Sequence, residues 1–164
     1  MDETTFKNVC LPYSVNFYRH AYRMLENSQD AEDVVQEVFE KLWRLKNKLE
    51  NIKNVEAYGI TLTRNICIDR LKSSRYKYDL DETKTDQNLT YEMDDVNSDI
   101  YIIKSFVSEL PDKQKLVFNL HYFKEFSIEE IEDFTKINIG NIRVLLTRAK
   151  KRIKEQFNNY QNRK

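Results

Sequence analysis

Apolar residues along the chain recur mostly at spacings of three and four, the period at which an α-helix gathers one face. Phe6, Val9, Cys10, Tyr13, Phe17, Ala21, Met24 and Leu25 make a first such stripe between Phe6 and Glu26, interrupted early by Pro12. Asn27-Ser28-Gln29-Asp30 breaks it and supplies side chains that cap helix starts by accepting otherwise unpaired amides. Asp30, Glu32 and Asp33 then fall in the first turn of a new helix, where carboxylates complement the helix dipole. Val34, Val35, Val38, Phe39, Leu42 and Trp43 give that helix a wide apolar face to about Leu45. Its opposite face, Asp33, Gln36, Glu37 and Glu40, is acidic. Lys46 to Val55 is polar and Asn-rich and reads as a loop. Helical spacing resumes from Glu56 to about Tyr78 through Ala57, Ile60, Leu62, Ile66, Cys67, Ile68 and Leu71.

Residues 79–98 lose the period and turn acidic. Such a segment buries too little apolar surface to offset its ordering entropy, so a flexible linker is expected there. The pattern returns with Ile100, Tyr101, Ile103, Phe106, Val107 and Leu110, and Pro111 ends this helix and opens another. Leu116, Val117, Leu120, His121 and Phe123 supply the next apolar face. Ser127-Ile128-Glu129-Glu130 has the spacing of a capping box, and a short helix follows to about Phe134. Thr135-Lys136-Ile137-Asn138 is a turn, with Asn138 placed to cap a last helix through about Phe157. The expectation is an all-α fold: two small helical domains, residues 1–78 and 99–164, joined by the acidic linker 79–98.

Composition agrees, because two Gly and two Pro in 164 residues are too few for the frequent turns of a strand-rich fold. Charge changes the picture more. The 27 basic and 27 acidic residues cancel, yet they are segregated. Asp79 to Asp99 carries eight acids against Lys84 alone, whereas Arg70, Lys72, Arg75 and Lys77 are wholly basic, as is the run Arg143, Arg148, Lys150, Lys151, Arg152, Lys154. Basic blocks of this kind are the electrostatic footprint of phosphate binding, and also occur as solvated helix faces.

Ser127 to Arg152 has the organisation of a helix-turn-helix: a short capped helix, a turn, and a longer helix loaded with Arg and Lys. Ile131, Phe134, Ile137, Ile142, Leu146 and Ala149 are spaced to pack the pair. Asn141 and Arg143, near the start of the second helix, can reach base edges, and Arg148, Lys150, Lys151 and Arg152 can serve phosphates. The same residues also suit an ordinary helical hairpin with a basic exposed face. Tyr76 and Tyr78, interleaved with Arg75 and Lys77, mix phosphate contact with stacking, or snorkel over apolar surface. No catalytic set is expected. Gly59 and Gly140 cannot form a Gly-rich phosphate loop, and His20, His121, Cys10 and Cys67 have no metal-ligand or disulfide spacing. Neither a metal nor another cofactor is anticipated. The acidic start is unlike a signal peptide, and no apolar run approaches the roughly 20 residues of a membrane span, so a cytoplasmic protein is expected.

Several stretches resemble, in order and spacing, the extracytoplasmic-function sigma factors. Asp30-Ala31-Glu32-Asp33-Val34-Val35-Gln36-Glu37-Val38-Phe39 with Trp43 is similar to their polymerase-binding segment. Ala57-Tyr58 and Thr63 through Leu71 resemble the helix that reads the promoter −10 element. Leu110 to Gln114, Ser127 to Ile131, and Ile142 to Lys151 resemble the C-terminal domain with its −35-reading helix. The resemblance implies that Asp33, Gln36, Glu37 and Glu40 dock on the clamp helices of the largest subunit of core RNA polymerase. It implies that Asn51, Lys53 and Asn54 lie where a flipped base of the −10 strand is received, with Arg64, Asn65, Asp69, Arg70, Lys72 and Arg75 along that strand. It assigns Ser127, Asn138, Asn141, Arg143, Val144, Thr147, Arg148 and Lys151 to the −35 duplex. The partners it implies are core polymerase (clamp helices and flap), promoter DNA and a membrane-tethered anti-sigma factor, with no small-molecule substrate and no catalysis.

The departures are local. Lys136 stands where the family commonly has Gly or Asn, so a positive backbone angle there is expected to carry strain. Glu132 replaces a small residue of the bracing helix, which calls close helix packing into question, and Val144 and Leu145 replace polar or basic residues. The competing reading is a stand-alone helix-turn-helix regulator with an N-terminal interaction domain; an acidic docking face in the first domain, instead of an apolar ligand pocket, favours the sigma factor.

Overall fold

A computed structural model describes residues 1–49, 51–73 and 96–163, with nothing said of the side chains of 96–98. All regular secondary structure among the described residues is helical, and the chain divides into two compact units, Met1–Tyr78 and Asp79–Lys164.

In the first unit, α1 (Glu3–Cys10) begins on Asp2, whose Oδ1 accepts the Thr5 amide at 2.7 Å. Pro12 then tightens the chain into a 3-10 turn, Leu11–Tyr13, before α2 (Ser14–Leu25). The single stripe expected from Phe6 to Glu26 is therefore two helices and a turn, because a proline within it removes a backbone donor. α3 (Ser28–Arg44) starts on Asn27, which accepts the Asp30 amide at 3.0 Å. α5 (Val55–Lys72) starts on Asn54 in the same manner, at 2.9 Å to the Ala57 amide. α2 packs on both α3 and α5, which also touch each other. Phe17, Ala21, Met24, Ala31, Val34, Val38, Leu42, Ile66, Cys67 and Ile68 fill the space between them. Gly59 of α5 is what lets Phe17 in: a Cβ there would lie 2.2 Å from the Phe17 ring.

The segment expected as a loop at 46–55 contains a one-turn helix, α4 (Lys46–Leu49), whose Leu49 is buried. Burial of that leucine, with Lys46 Nζ 3.8 Å above the Trp43 ring, holds a turn that local propensity does not require. α5 ends at Lys72 with the Ser73 amide bonded to the Asp69 carbonyl. Residues 74–78, expected to continue it, lie outside the described residues, as does 79–95 of the expected linker.

The second unit begins earlier than the pattern suggested, since α6 spans Val96–Ser108 and takes in 96–98 of that linker. α7 (Asp112–Phe118) runs on into a wide π turn, Asn119–Phe123, which closes with the Lys124 amide on the Asn119 carbonyl at 3.0 Å. α8 (Ile128–Thr135) and α9 (Ile139–Gln161) follow. α9 is the centre of this unit, packed by α6, α7 and α8. Val107, Leu110, Phe118, Ala149 and Ile153 make one core cluster. α9 passes its expected end at Phe157 because Tyr160 still packs edge-on against Phe106, ring centroids 6.5 Å apart.

Candidate nucleic-acid interface

The second unit presents a helix-turn-helix whose helix starts and turn are fixed by side-chain caps. Ser127 Oγ accepts the Glu130 amide at 3.1 Å while Glu130 Oε2 accepts the Ser127 amide at 2.8 Å, a complete capping box. α8 ends at Lys136 with φ 62°, the left-handed conformation expected there, and Lys136 Nζ reaches Asp133 at 3.7 Å. Thr135 Oγ1 accepts the Ile137 amide at 3.2 Å, and Asn138 Oδ1 accepts the Asn141 amide at 2.9 Å. Glu132, marked in the sequence only as too large, solves its own packing problem. Its Oε1 reaches across the turn to accept the Ile139 amide, the first of α9, at 3.2 Å. Packing is not sacrificed either, because Ile131 of α8 and Ile142 of α9 are fully buried, as is Ala149 in the cluster that α9 forms with Val107, Leu110 and Phe118. The signal for Glu132 was an acceptor facing a helix start, legible only once the turn was folded.

This bracing leaves one face of α9 in solvent. Asn141, Arg143, Val144, Thr147, Arg148 and Lys151 are all exposed, Val144 at 47%. Thr147 Oγ1 turns back to the Arg143 carbonyl at 2.9 Å. Ser127 and Asn138 are committed to capping, so they position the helices. A separate apolar groove of about 390 Å³ in this unit is lined by Ile103, Phe118, Tyr122, Ile153 and Phe157, with Lys150 and Lys154 at its rim. The apolar spacing had marked Ile103 and Phe118's neighbours as core, but a groove depends on how α6, α7 and α9 splay, which spacing does not encode.

In the first unit, Asn51, Lys53 and Asn54 are exposed around the turn before α5, with the Asn54 carbonyl oxygen committed to the cap. Asn65, Asp69 and Lys72 are exposed along α5, and Arg64 lies against Asn65 at 3.3 Å. Arg75 lies outside the described residues. On α3, Asp33, Gln36 and Glu40 are exposed and Glu37 is half-buried. This acidic face carries its own cations: Lys41 sits 3.1 Å from Glu37 and Arg44 3.9 Å from Glu40. Arg70 of α5 crosses to α3, 3.5 Å from Glu37 and 3.9 Å from Asp30, and so joins the two sets of candidate residues. A polar cleft of about 330 Å³ between α2 and α5 is lined by Asn16, Arg19, His20, Arg23, Glu56 and Ile60. Asn16 closes part of it with a 2.6 Å bond to Glu56.

Among the described residues no group of three or more His, Cys, Asp or Glu could hold a metal ion. Cys10 and Cys67 are buried and form no disulfide, and burial pushes the Cys10 thiol up, away from the reactive thiolate. No helix among the described residues is long and apolar enough to cross a membrane.

A capped helix-turn-helix with an exposed Asn/Arg face defines a DNA-reading protein. Residues 13–76 match sigma-70 region 2 and residues 101–153 match sigma-70 region 4, together most of the chain. The ECF RNA polymerase sigma factor SigW of Bacillus subtilis is 25% identical over 95% of this chain and 90% of its own. RNA polymerase sigma factor SigV of the same organism is 26% identical over 87% and 84%. The solved sigma factor RpoE from Bartonella quintana, in complex with the anti-sigma factor NepR, aligns at TM-score 0.45 and 21% identity over 94% of this chain and 97% of that one. The chain belongs to the sigma-70 family, as an extracytoplasmic-function sigma factor.

Proposed function

We propose that the two units divide the work of an alternative sigma factor, the first joining core RNA polymerase and reading the melted −10 strand, the second reading the −35 duplex. The observation that carries this reading is the exposed face of α9, fixed at its start by Asn138 and Glu132. Asn141, Arg143 and Val144 occupy the first turns, where a helix in the major groove meets base edges; Val144 suits a thymine methyl. Thr147, Arg148 and Lys151 continue along the same face toward the phosphates.

In the first unit, Asp33, Gln36, Glu37 and Glu40 are the docking residues for the clamp helices, and Asn51 and Lys53 border the turn that receives a flipped base. Arg64, Asn65, Asp69, Arg70 and Lys72 follow the strand along α5. The apolar groove of the second unit suits a partner helix, and the polymerase flap is the occupant this reading assigns to it. A membrane-tethered anti-sigma factor that covers both units is the expected inhibitor, and the cytoplasm the expected compartment. The stand-alone regulator is not favoured, since region 2 accounts for the first unit.

Run-off transcription with purified core polymerase on a library of promoter fragments tests the assignment. Specific transcripts are expected only when this protein is added, and are expected to be lost on reversing charge at Asp33 and Glu40. Folded protein that binds duplex DNA yet neither joins core polymerase nor yields transcripts would return the stand-alone regulator to favour.

A further inference from the structure

Glu37 is claimed twice. Its Oε1 lies 3.1 Å from Lys41 Nζ and its Oε2 lies 3.5 Å from Arg70 Nη2, so both carboxylate oxygens already face a resident cation. Lys41 is a neighbour on the same helix, one turn on. Arg70 comes from α5, and its other nitrogen, Nη1, lies 3.9 Å from Asp30, two turns before Glu37 on the same face of α3. Its side chain is only 28% exposed, although Asp69 and Lys72 beside it are open to solvent.

We infer that Arg70 is a coupling residue: held on Asp30 and Glu37 of α3 in the free protein, it is released toward single-stranded DNA when a cationic partner helix takes Glu37. The inference rests on the roles proposed above for α3 and α5 and adds the link between them. Its logic is competition for one carboxylate. A basic helix docking on Asp33, Glu37 and Glu40 brings a new cation to Glu37. Lys41 can swing aside without consequence elsewhere, but displacing Arg70 returns a guanidinium to the outer face of α5. Linkage makes the effect reciprocal: a phosphate that captures Arg70 leaves Glu37 more available to the partner. The contacts are partly exposed and long, so the coupling is modest. Two such pairs together correspond to about a three- to tenfold change in affinity.

Binding of a fluorescein-labelled, random-sequence 12-nucleotide single strand to the full chain at low salt reads this directly. D30N/E37Q removes both contacts, and D33N/E40Q removes the same charge from the same helix without touching Arg70. D30N/E37Q is expected to bind the strand about three- to tenfold more tightly than D33N/E40Q, and the difference is expected to vanish when R70Q is added to each. E37Q alone leaves the first turn of α3 intact and is expected to show part of the gain even where D30N perturbs the helix start. Equal gains for the two double variants, or a difference that survives R70Q, would overturn the coupling. No binding by any form would overturn both the coupling and the strand path on α5, while run-off activity of the same preparations would leave the sigma-factor assignment intact.

Discussion

At Gly59 a missing side chain is what the packing needs. The Phe17 ring occupies the place of a Cβ on α5, so α2 and α5 approach through that one residue. Gly59→Ala has better helix propensity and is nonetheless expected to destabilise the first unit, by about 1–3 kcal/mol, as overpacking does in a filled core. Thermal melting followed by circular dichroism checks it; an unchanged or raised midpoint would place the ring elsewhere. Lys136 is the converse case, a side chain where none is wanted. Its φ of 62° costs a non-glycine residue, and its pairing with Asp133 is at the surface. Lys136→Gly is expected to raise the stability of the second unit by about 0.5–1 kcal/mol, read as a higher urea midpoint at unchanged slope. The left-handed turn was foreseen through the family resemblance, since Lys136 stands where the family commonly has Gly or Asn. Glu132 was legible only as an oddity, because its partner amide on Ile139 comes into reach only when the turn folds.

Helix starts were the most legible elements, since a cap is a contact between residues three apart. Ser127 and Asn138 each cap where the spacing placed them; of the four candidates at 27–30 it is Asn27 that caps α3, so Asp30 alone of the three expected carboxylates falls in its first turn, with Glu32 and Asp33 beyond it. What the pattern missed was set at a distance. α4 depends on burying Leu49, and the far end of α9 on Tyr160 meeting Phe106 of α6. Asn138 is the cap that bears on the proposed function, because it and Glu132 fix where α9, which carries Arg143, begins. Asn138→Ala is expected to cost about 1 kcal/mol of stability. If α9 is the reading helix, duplex affinity should fall with it while Asn138→Asp, which keeps the acceptor, retains most of the stability. A loss of stability with undiminished duplex binding would separate α9's start from DNA reading.

Over the whole chain, composition foretold helices, while charge segregation, despite a net charge of zero, admitted either a nucleic-acid partner or solvated helix faces until the family motifs were added. The charged residues were legible as positions but not as pairs. Nothing in the spacing of Asp30, Glu37 and Arg70 announces that α5 folds back to place its guanidinium on α3. The acidic face of α3 is thus balanced from within, so the docking proposed for it would exchange ion pairs and weaken as salt rises. The apolar groove beside α9 was likewise invisible, since its walls come from three helices.

The central claim is that two units read two promoter sites. DNase footprinting of the reconstituted polymerase holoenzyme, combined with permanganate reactivity on a promoter recovered by run-off selection, tests it most directly. Wild-type protein should protect an upstream and a downstream patch and open the downstream one. Arg143→Ala should weaken upstream protection alone, and Asn65→Ala should reduce downstream opening alone. Loss of both signals in either variant, or of neither, would contradict the division of labour between the units.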